Sequence, residues 1–345
     1  MKSLYVHLGL KTDSFLSTKE IVEDACNKLR GTYLSIVNSG ICPQGLNPVS
    51  SKVIYTSTVI PKALYGCEMW STLTATDILR LERSHRFCVK NMQSFPIGTS
   101  TDFALNALSI GSIETFIEYR KLQFLGQLCR LSNMYIAKHI FNNRLLHFIN
   151  FDNQTHGFIP DIYRILQKYE LNSVLDNYVT DGRFPTKYTW KRMLHASVLL
   201  PERQNSVRAI TSEFNTLSPI FPYDNKPCKL WSISRNNPRL LYMCNKLMNI
   251  TSRYVSRKYV SKCKKCECLN NDIVQHLLCY CNINTSNRKI VWDILIEKLG
   301  TSSYNSFIQL SPKDQCDMLL TLAYEIESNS FKYYKLADAI CKMSY

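Results

Sequence analysis

Five of the chain's fourteen cysteines crowd into residues 263–281, in the run CKKCECLNNDIVQHLLCYC. Its core is C-x2-C, nine residues, then H-x4-C, supplied by Cys263, Cys266, His276 and Cys281. Two cysteines with two residues between them can pinch one metal ion from a tight turn, and a second pair from a following element completes a tetrahedron. Asn271 to Leu278 reads as helical, which presents His276 to that turn. Two alternatives stay open on spacing alone. Cys279 lies three residues after His276 and shares its helix face, whereas Cys281, five after, shares it only if the helix unwinds. Cys268 competes with Cys266 in the same way. Reduced core cysteines with a core histidine are the bland alternative, yet five cysteines in nineteen residues beside three lysines do not resemble a core. Four protein ligands leave no open position, so the expected cofactor is structural Zn2+ without a catalytic role.

Charge gathers around the same place. The 345 residues carry 42 Lys/Arg against 27 Asp/Glu, and residues 226–300 alone hold 14 against 4. Arg253, Arg257, Lys258, Lys262, Lys264 and Lys265 interleave with Tyr254 and Tyr259. Cations neutralise phosphates while tyrosines stack on unpaired bases, so RNA or DNA is the expected partner.

The elements that must position these groups are mostly helices. Leu4, Val6, Leu8 and Leu10 alternate as in a half-buried strand. Ser17 and Glu20 form a capping box with a Leu16–Ile21 staple, opening a helix whose apolar face is Val22, Ala25, Leu29 and Tyr33. Asn47-Pro48 starts a second helix carrying Val53 and Ile54, which Pro61 kinks or ends. From Asp77 to Met92, at about 100° per residue, Ile78, Leu81, His85, Cys88, Val89 and Met92 share one side. Arg80, Arg83, Arg86 and Lys90 lie roughly opposite, a ridge suited to phosphates or to plain solvation. Ser112 opens a helix with Ile113, Phe116, Ile117, Phe124 and Leu128 inward and Arg120 and Lys121 outward. Residues 136–185 carry turn signals and read as a connector with short helices, one near Asp161 to Tyr169. Trp190 sits in a short basic helix beside Lys187, Lys191 and Arg192; Val291, Leu295 and Leu299 run into a Gly300 C-cap; Ser311-Pro312 starts a last helix with Leu319, Leu322 and Ala323.

Several function classes drop out. The chain has no Asp-Asp pair, P-loop, G-x-G-x-x-G or G-x-S-x-G, and Glu23-Asp24 points in two directions from one helix. No credible set of convergent carboxylates exists for two-metal chemistry, so no catalytic residue and no small-molecule substrate are expected. Neither a membrane span nor a signal peptide is read, which suggests reduced thiols and an intracellular setting, nuclear or cytoplasmic.

VIPKALYGCEMW (Val59 to Trp70) followed by LERSHRFCVKNM (Leu81 to Met92) resembles the region after the polymerase core in reverse transcriptases of non-LTR, LINE-type retrotransposons. In that family an L-Y-G-x-E-x-W stretch precedes a basic helix of the form L-E-x-x-x-R. VHLGL (Val6 to Leu10) resembles the family's primer-grip turn, and Asp272 through His276 to Cys281 resembles its C-terminal zinc motif. That likeness selects Cys263 with Cys266, and Cys281 over Cys279. It covers roughly residues 4–135 and 185–320.

The family's catalytic Y-A-D-D block lies before the primer-grip turn and is not in this sequence. The resemblance therefore implies a fragment that holds template and primer without extending them. The expected fold is mainly α: a thumb-like helical bundle with a short N-terminal β element and a small zinc module. Expected segments are 1–15 (primer-grip-like β remnant), 16–135 (thumb-like), 136–225 (connector) and 226–345 (basic, zinc-containing). The competing expectation is a zinc-stabilised protein-interaction module whose basic surface is incidental.

Overall fold

The computed structural model of the chain describes residues 4–7, 9–13, 18–41, 45–71, 73–151, 156–211, 226–234, 238–256, 261–263, 265–270, 273–324 and 331–344. The architecture is mainly helical, and among the described residues the strands form two antiparallel hairpins. Two compact units are built from interleaved segments: Met1–Ser35, Ile54–Cys88 and Gly111–Gln204 in one, Ile36–Val53, Val89–Ile110 and Asn205–Tyr345 in the other. Their limits are not those of the four successive segments expected from sequence. None of the described helices is long and apolar enough to cross a membrane.

In the first unit, the strand expected over residues 4–10 is a hairpin, Leu4–His7 paired with Leu10–Asp13, His7 lying opposite Leu10. Alternation continues through a tight turn without marking it; Gly9, at φ 81°, supplies the left-handed residue. Leu8 and the expected cap and staple residues Ser17 and Leu16 lie outside the described residues. The helix Thr18–Asn38 buries Val22, Ala25, Leu29 and Tyr33, the face its periodicity predicts.

The L-Y-G-x-E-x-W stretch serves this unit's packing. Gly66 turns at φ 73°, where an added Cβ would collide with the Leu10 side chain. Glu68 pairs with Arg120 at 2.7 Å, and the Trp70 carbonyl accepts from Lys121. Glu82 of the following helix, Ala75–Met92, is buried, and its Oε1 accepts from the Ile113 and Glu114 amides at 2.7 and 3.3 Å. It thus meets the amides left open at the start of the helix Ile113–Arg130, beside the Ser112 cap, whose Oγ accepts from the Thr115 amide at 3.2 Å.

On that helix Ile113 and Ile117 are buried as expected, while Phe116, Phe124 and Leu128 are half-buried. Lys121, expected outward, is buried and pairs with Asp161 at 3.0 Å. Its long stem reaches a partner on another helix, which one helix's periodicity cannot anticipate. Residues 136–185 are likewise more than a connector. They form the helices Ile136–Phe151, Phe158–Lys168 and Asn172–Asp181 and pack Phe141, Ile162, Leu166 and Leu175 with Leu122, Leu125 and Trp190. Gly157 and Pro160 suggest turns, but Pro160 sits in a first helical turn, where its missing N–H costs nothing.

Elsewhere the second helix, Pro48–Ile54, starts where Asn47-Pro48 predicts, the Asn47 Oδ1 accepting from the Val49 amide at 2.8 Å. Val53 is 56% exposed, and burial passes to Tyr55, Val59 and Ile60. The chain stays helical through Pro61, as a π turn over Tyr55–Val59 and then Ile60–Ala63.

The second unit packs around Trp231, fully buried, whose Nε1 donates to Gln93 Oε1 at 3.1 Å and whose carbonyl accepts from Asn47 Nδ2 at 2.9 Å. Helix Pro238–Ser256 adds Leu241, Cys244, Leu247 and Met248. Gly300 breaks the run Thr285–Gln309 at φ 77°, as its C-cap reading predicts, with Val291 and Leu295 fully buried before it. Ser311 Oγ caps the helix Pro312–Tyr324 by accepting from the Asp314 amide at 3.2 Å, and Leu319 is buried on it. The side chains of Leu299, Leu322 and Ala323 lie outside the described residues.

Candidate metal centre

Strands Ser261–Lys262 and Leu269–Asn270 form a short hairpin whose tip holds the C-x2-C pair. The Cys263 amide donates to the Cys268 carbonyl at 2.9 Å, and the Glu267 amide to the Cys263 carbonyl at 2.8 Å. Glu267 takes a left-handed φ of 64°, which tightens the turn and gathers the Cys263 and Cys266 sulfurs.

The other two ligands come from one helical element that changes type. A single turn, Ile273–Gln275, passes into a π turn over His276–Tyr280. There the Cys281 amide donates to the His276 carbonyl at 2.7 Å. On an α-helix, a residue five positions on sits about 140° away, at about 100° per residue. A π turn bonds i to i+5 and brings it back under the first. The unwinding that Cys281 requires is therefore built into the backbone.

One ligand atom from each of Cys263, Cys266, His276 and Cys281 lies within 4.8 Å of all the others. Cys266 Sγ is 3.1 Å from His276 Nε2. Cys263, His276 and Cys281 are buried and Cys266 half-buried. The Cys268 backbone N–H, helped by the side chains of Cys268, Cys263 and His276, holds the Cys266 thiol down to about 6, toward the thiolate a metal needs. Burial, with the neighbouring Cys263 and Cys266 sulfurs, pushes Cys281 the other way. Such a group can hold one metal ion.

The competing cysteines are placed elsewhere. Cys268 is exposed, its thiol 3.6 Å from the Cys266 carbonyl. Cys279 turns to another helix, its Sγ 3.5 Å from Cys316 Sγ.

Two supporting residues went unread in the sequence. Arg288 donates to the Leu278 and Cys281 carbonyls at 3.0 and 2.8 Å, meeting the carbonyls that a helix end leaves open. Buried Asn284 donates to the Leu277 and Met343 carbonyls at 3.0 and 2.6 Å. Only an Arg seven residues after the last ligand could have hinted at this, and that spacing has no meaning until the π turn is known.

The expected basic contacts divide. Lys265 turns inward, donating to Asn284 Oδ1 at 2.8 Å and to the Lys342 and Met343 carbonyls at 3.1 and 3.2 Å. Lys262 is exposed and pairs with Glu267 at 3.2 Å. Arg257, Lys258, Lys264 and the side chain of Arg253 lie outside the described residues. On the Ala75–Met92 helix, Arg80 lies 3.9 Å from Glu23, Arg86 lies 3.3 Å from Glu82, and Lys90 donates to the Ile97 carbonyl at 2.8 Å. Arg83 is exposed. Sequence spacing put these four on one polar face; it could not show that three of them answer groups of their own chain.

No protein-family model, curated protein or solved structure matches this chain.

Proposed function

We propose that the chain is a nucleic-acid-binding C-terminal part of a non-LTR retrotransposon reverse transcriptase, stabilised by one structural Zn2+ and without polymerase activity of its own. The observation that carries this reading is the convergence of Cys263, Cys266, His276 and Cys281 within 4.8 Å, the set that the family's zinc motif selects among five cysteines and one histidine. Three sulfurs and one imidazole suit Zn2+; at Zn–S about 2.3 Å and Zn–N about 2.0 Å, tetrahedral ligand atoms stand roughly 3.5–3.8 Å apart. All four positions would be filled by protein, leaving none for a reacting water.

In this reading the metal ties the hairpin of residues 261–270 to the π turn and so organises the basic segment around it. Arg83 and the cations of residues 253–264 supply phosphate contacts, to template–primer, element RNA or target DNA. The chain's lack of an Asp-Asp pair fits holding without extension.

A filter-binding titration across salt tests the reading. Binding should weaken steeply as salt rises, since each neutralised phosphate releases counterions; a flat profile would overturn it. Primer extension with this chain alone should give no product. The inward turn of Lys265 and the internal partners of Arg80, Arg86 and Lys90 favour the competing reading, a zinc-stabilised protein-interaction module. That module predicts the flat profile.

A further inference from the structure

The helix Lys187–Leu194 and the residues around it carry a cationic face to which no role has been attached. From Gly182 to Pro201 the sequence has Arg183, Lys187, Lys191 and Arg192 and no Asp or Glu. The inner side is firmly held. Trp190, 2% exposed, donates from Nε1 to the Leu122 carbonyl at 2.9 Å, Leu194 and Val198 are fully buried, and Thr186 Oγ1 caps the start by accepting from the Thr189 amide at 3.2 Å.

The outer side is open. Lys187, Lys191, Arg192 and His195 are exposed, and Tyr188 is 76% exposed among them. At about 100° per residue these five share an arc of about 140°. Lys187 and Lys191 stand four apart with Arg192 beside them, an arrangement of like charges that costs rather than contributes stability. Other cations of the same unit are answered internally, Arg120 by Glu68, Lys121 by Asp161 and Lys168 by Glu118. Among the described residues, no carboxylate pairs with Arg183, Lys187, Lys191 or Arg192. A rigid helix thus presents uncompensated positive charge around a large aromatic ring in water.

We propose that this face binds single-stranded nucleic acid, with Lys187, Lys191 and Arg192 on phosphates and Tyr188 stacked on an unpaired base. The proposal rests on the reading of the chain as a nucleic-acid binder and adds a binding surface separate from the metal centre. A single strand fits better than a duplex because the ring needs a base whose face is free.

The test is fluorescence anisotropy of a labelled single-stranded oligonucleotide with the full chain across a salt series. A Lys187→Ala/Lys191→Ala/Arg192→Ala variant should lower the salt slope by about 2, at about 0.7 for each phosphate that is no longer neutralised. Tyr188→Ala should weaken binding at least about fivefold with little change in slope, and Tyr188→Phe should restore it. All substituted side chains are exposed and the three cations repel one another, so thermal midpoints should not fall below wild type. Wild-type affinity and slope in the triple variant, with weakened binding in Arg83→Ala, would overturn this surface and leave the broader reading standing. No binding by wild type at low salt would overturn both. Loss of binding to phosphatidylserine vesicles in the triple variant, with oligonucleotide binding unchanged, would replace nucleic acid with a membrane surface and overturn the proposal.

Discussion

The Cys281 amide donates to the His276 carbonyl at 2.7 Å, a bond that reaches back five positions and folds the fourth candidate ligand beneath the histidine. Without that π turn, Cys279 would be the cysteine on His276's face. With it, Cys279 is carried to Cys316, at 3.5 Å, and Cys281 enters the cluster.

Metal content follows this division. Purified protein should carry about one zinc per chain by elemental analysis. His276→Ala and Cys281→Ser should lose it, whereas Cys279→Ser and Cys268→Ser should keep it. Retention by Cys281→Ser together with loss by Cys279→Ser would show that the π turn does not set the ligands. Chelation should also expose the Cys281 amide to hydrogen exchange while leaving amides in the Ile113–Arg130 helix protected.

Gly126 allows two helices to approach. A Cβ there would lie 2.5 Å from Trp190 Cδ1 and 2.6 Å from its Nε1, inside any tolerable separation. Gly126→Ala gains about 1 kcal/mol of helix propensity but must displace a buried indole and its bond to the Leu122 carbonyl. A net loss of about 1–2 kcal/mol is expected from overpacking. Urea unfolding should show it, with a moved Trp190 indole N–H resonance; unchanged stability and resonance would contradict the packing.

His85 makes the first unit acid-sensitive. It is fully buried, bonded to Tyr55 Oη at 2.8 Å and to the Gly111 carbonyl at 3.0 Å. A neutral ring protonated at Nε2 satisfies both, donating to the carbonyl and accepting from the phenol. Burial pulls its pKa down from 6.5 to about 4. The folded state therefore binds fewer protons than the unfolded chain between those values, and stability falls with pH there. This group's contribution is complete above pH 6.5 and lost as pH drops to about 4, a difference of about 3 kcal/mol. Urea unfolding at pH 7 and pH 4.5 should show a smaller drop for His85→Gln than for wild type. Equal drops would remove His85 as the cause.

Lys121 carries a buried charge that must be answered. Its ammonium bonds Asp161 at 3.0 Å and the Trp70 carbonyl, both within the first unit. Lys121→Met leaves that carbonyl unpaired and removes the buried cation from Asp161, which keeps its pair with Arg164. A loss of about 3 kcal/mol is expected, read as a lowered urea midpoint at unchanged slope. A midpoint within error of wild type would mean the lysine is solvated.

Much of this molecule is local in origin and so was readable in order along the chain. The face Val22, Ala25, Leu29, Tyr33, the Ser112 and Ser311 caps and the Gly300 break depend on residues within a few positions of one another, where helix period and backbone sterics act. The candidate metal cluster was legible too, because cysteine and histidine spacing reports how far a turn must reach, but spacing left Cys268 and Cys279 open and only the family likeness chose Cys266 and Cys281. What the sequence could not carry was every relationship set by distant partners. Lys121 is drawn inward by Asp161, Glu82 is claimed by a helix start thirty-one residues on, and Lys265 is bound by carbonyls seventy-seven and seventy-eight residues away. A charge looks the same in sequence whether it faces water or a buried acceptor. Only the tertiary structure, by bringing donor and acceptor together, decides which cations remain on the surface.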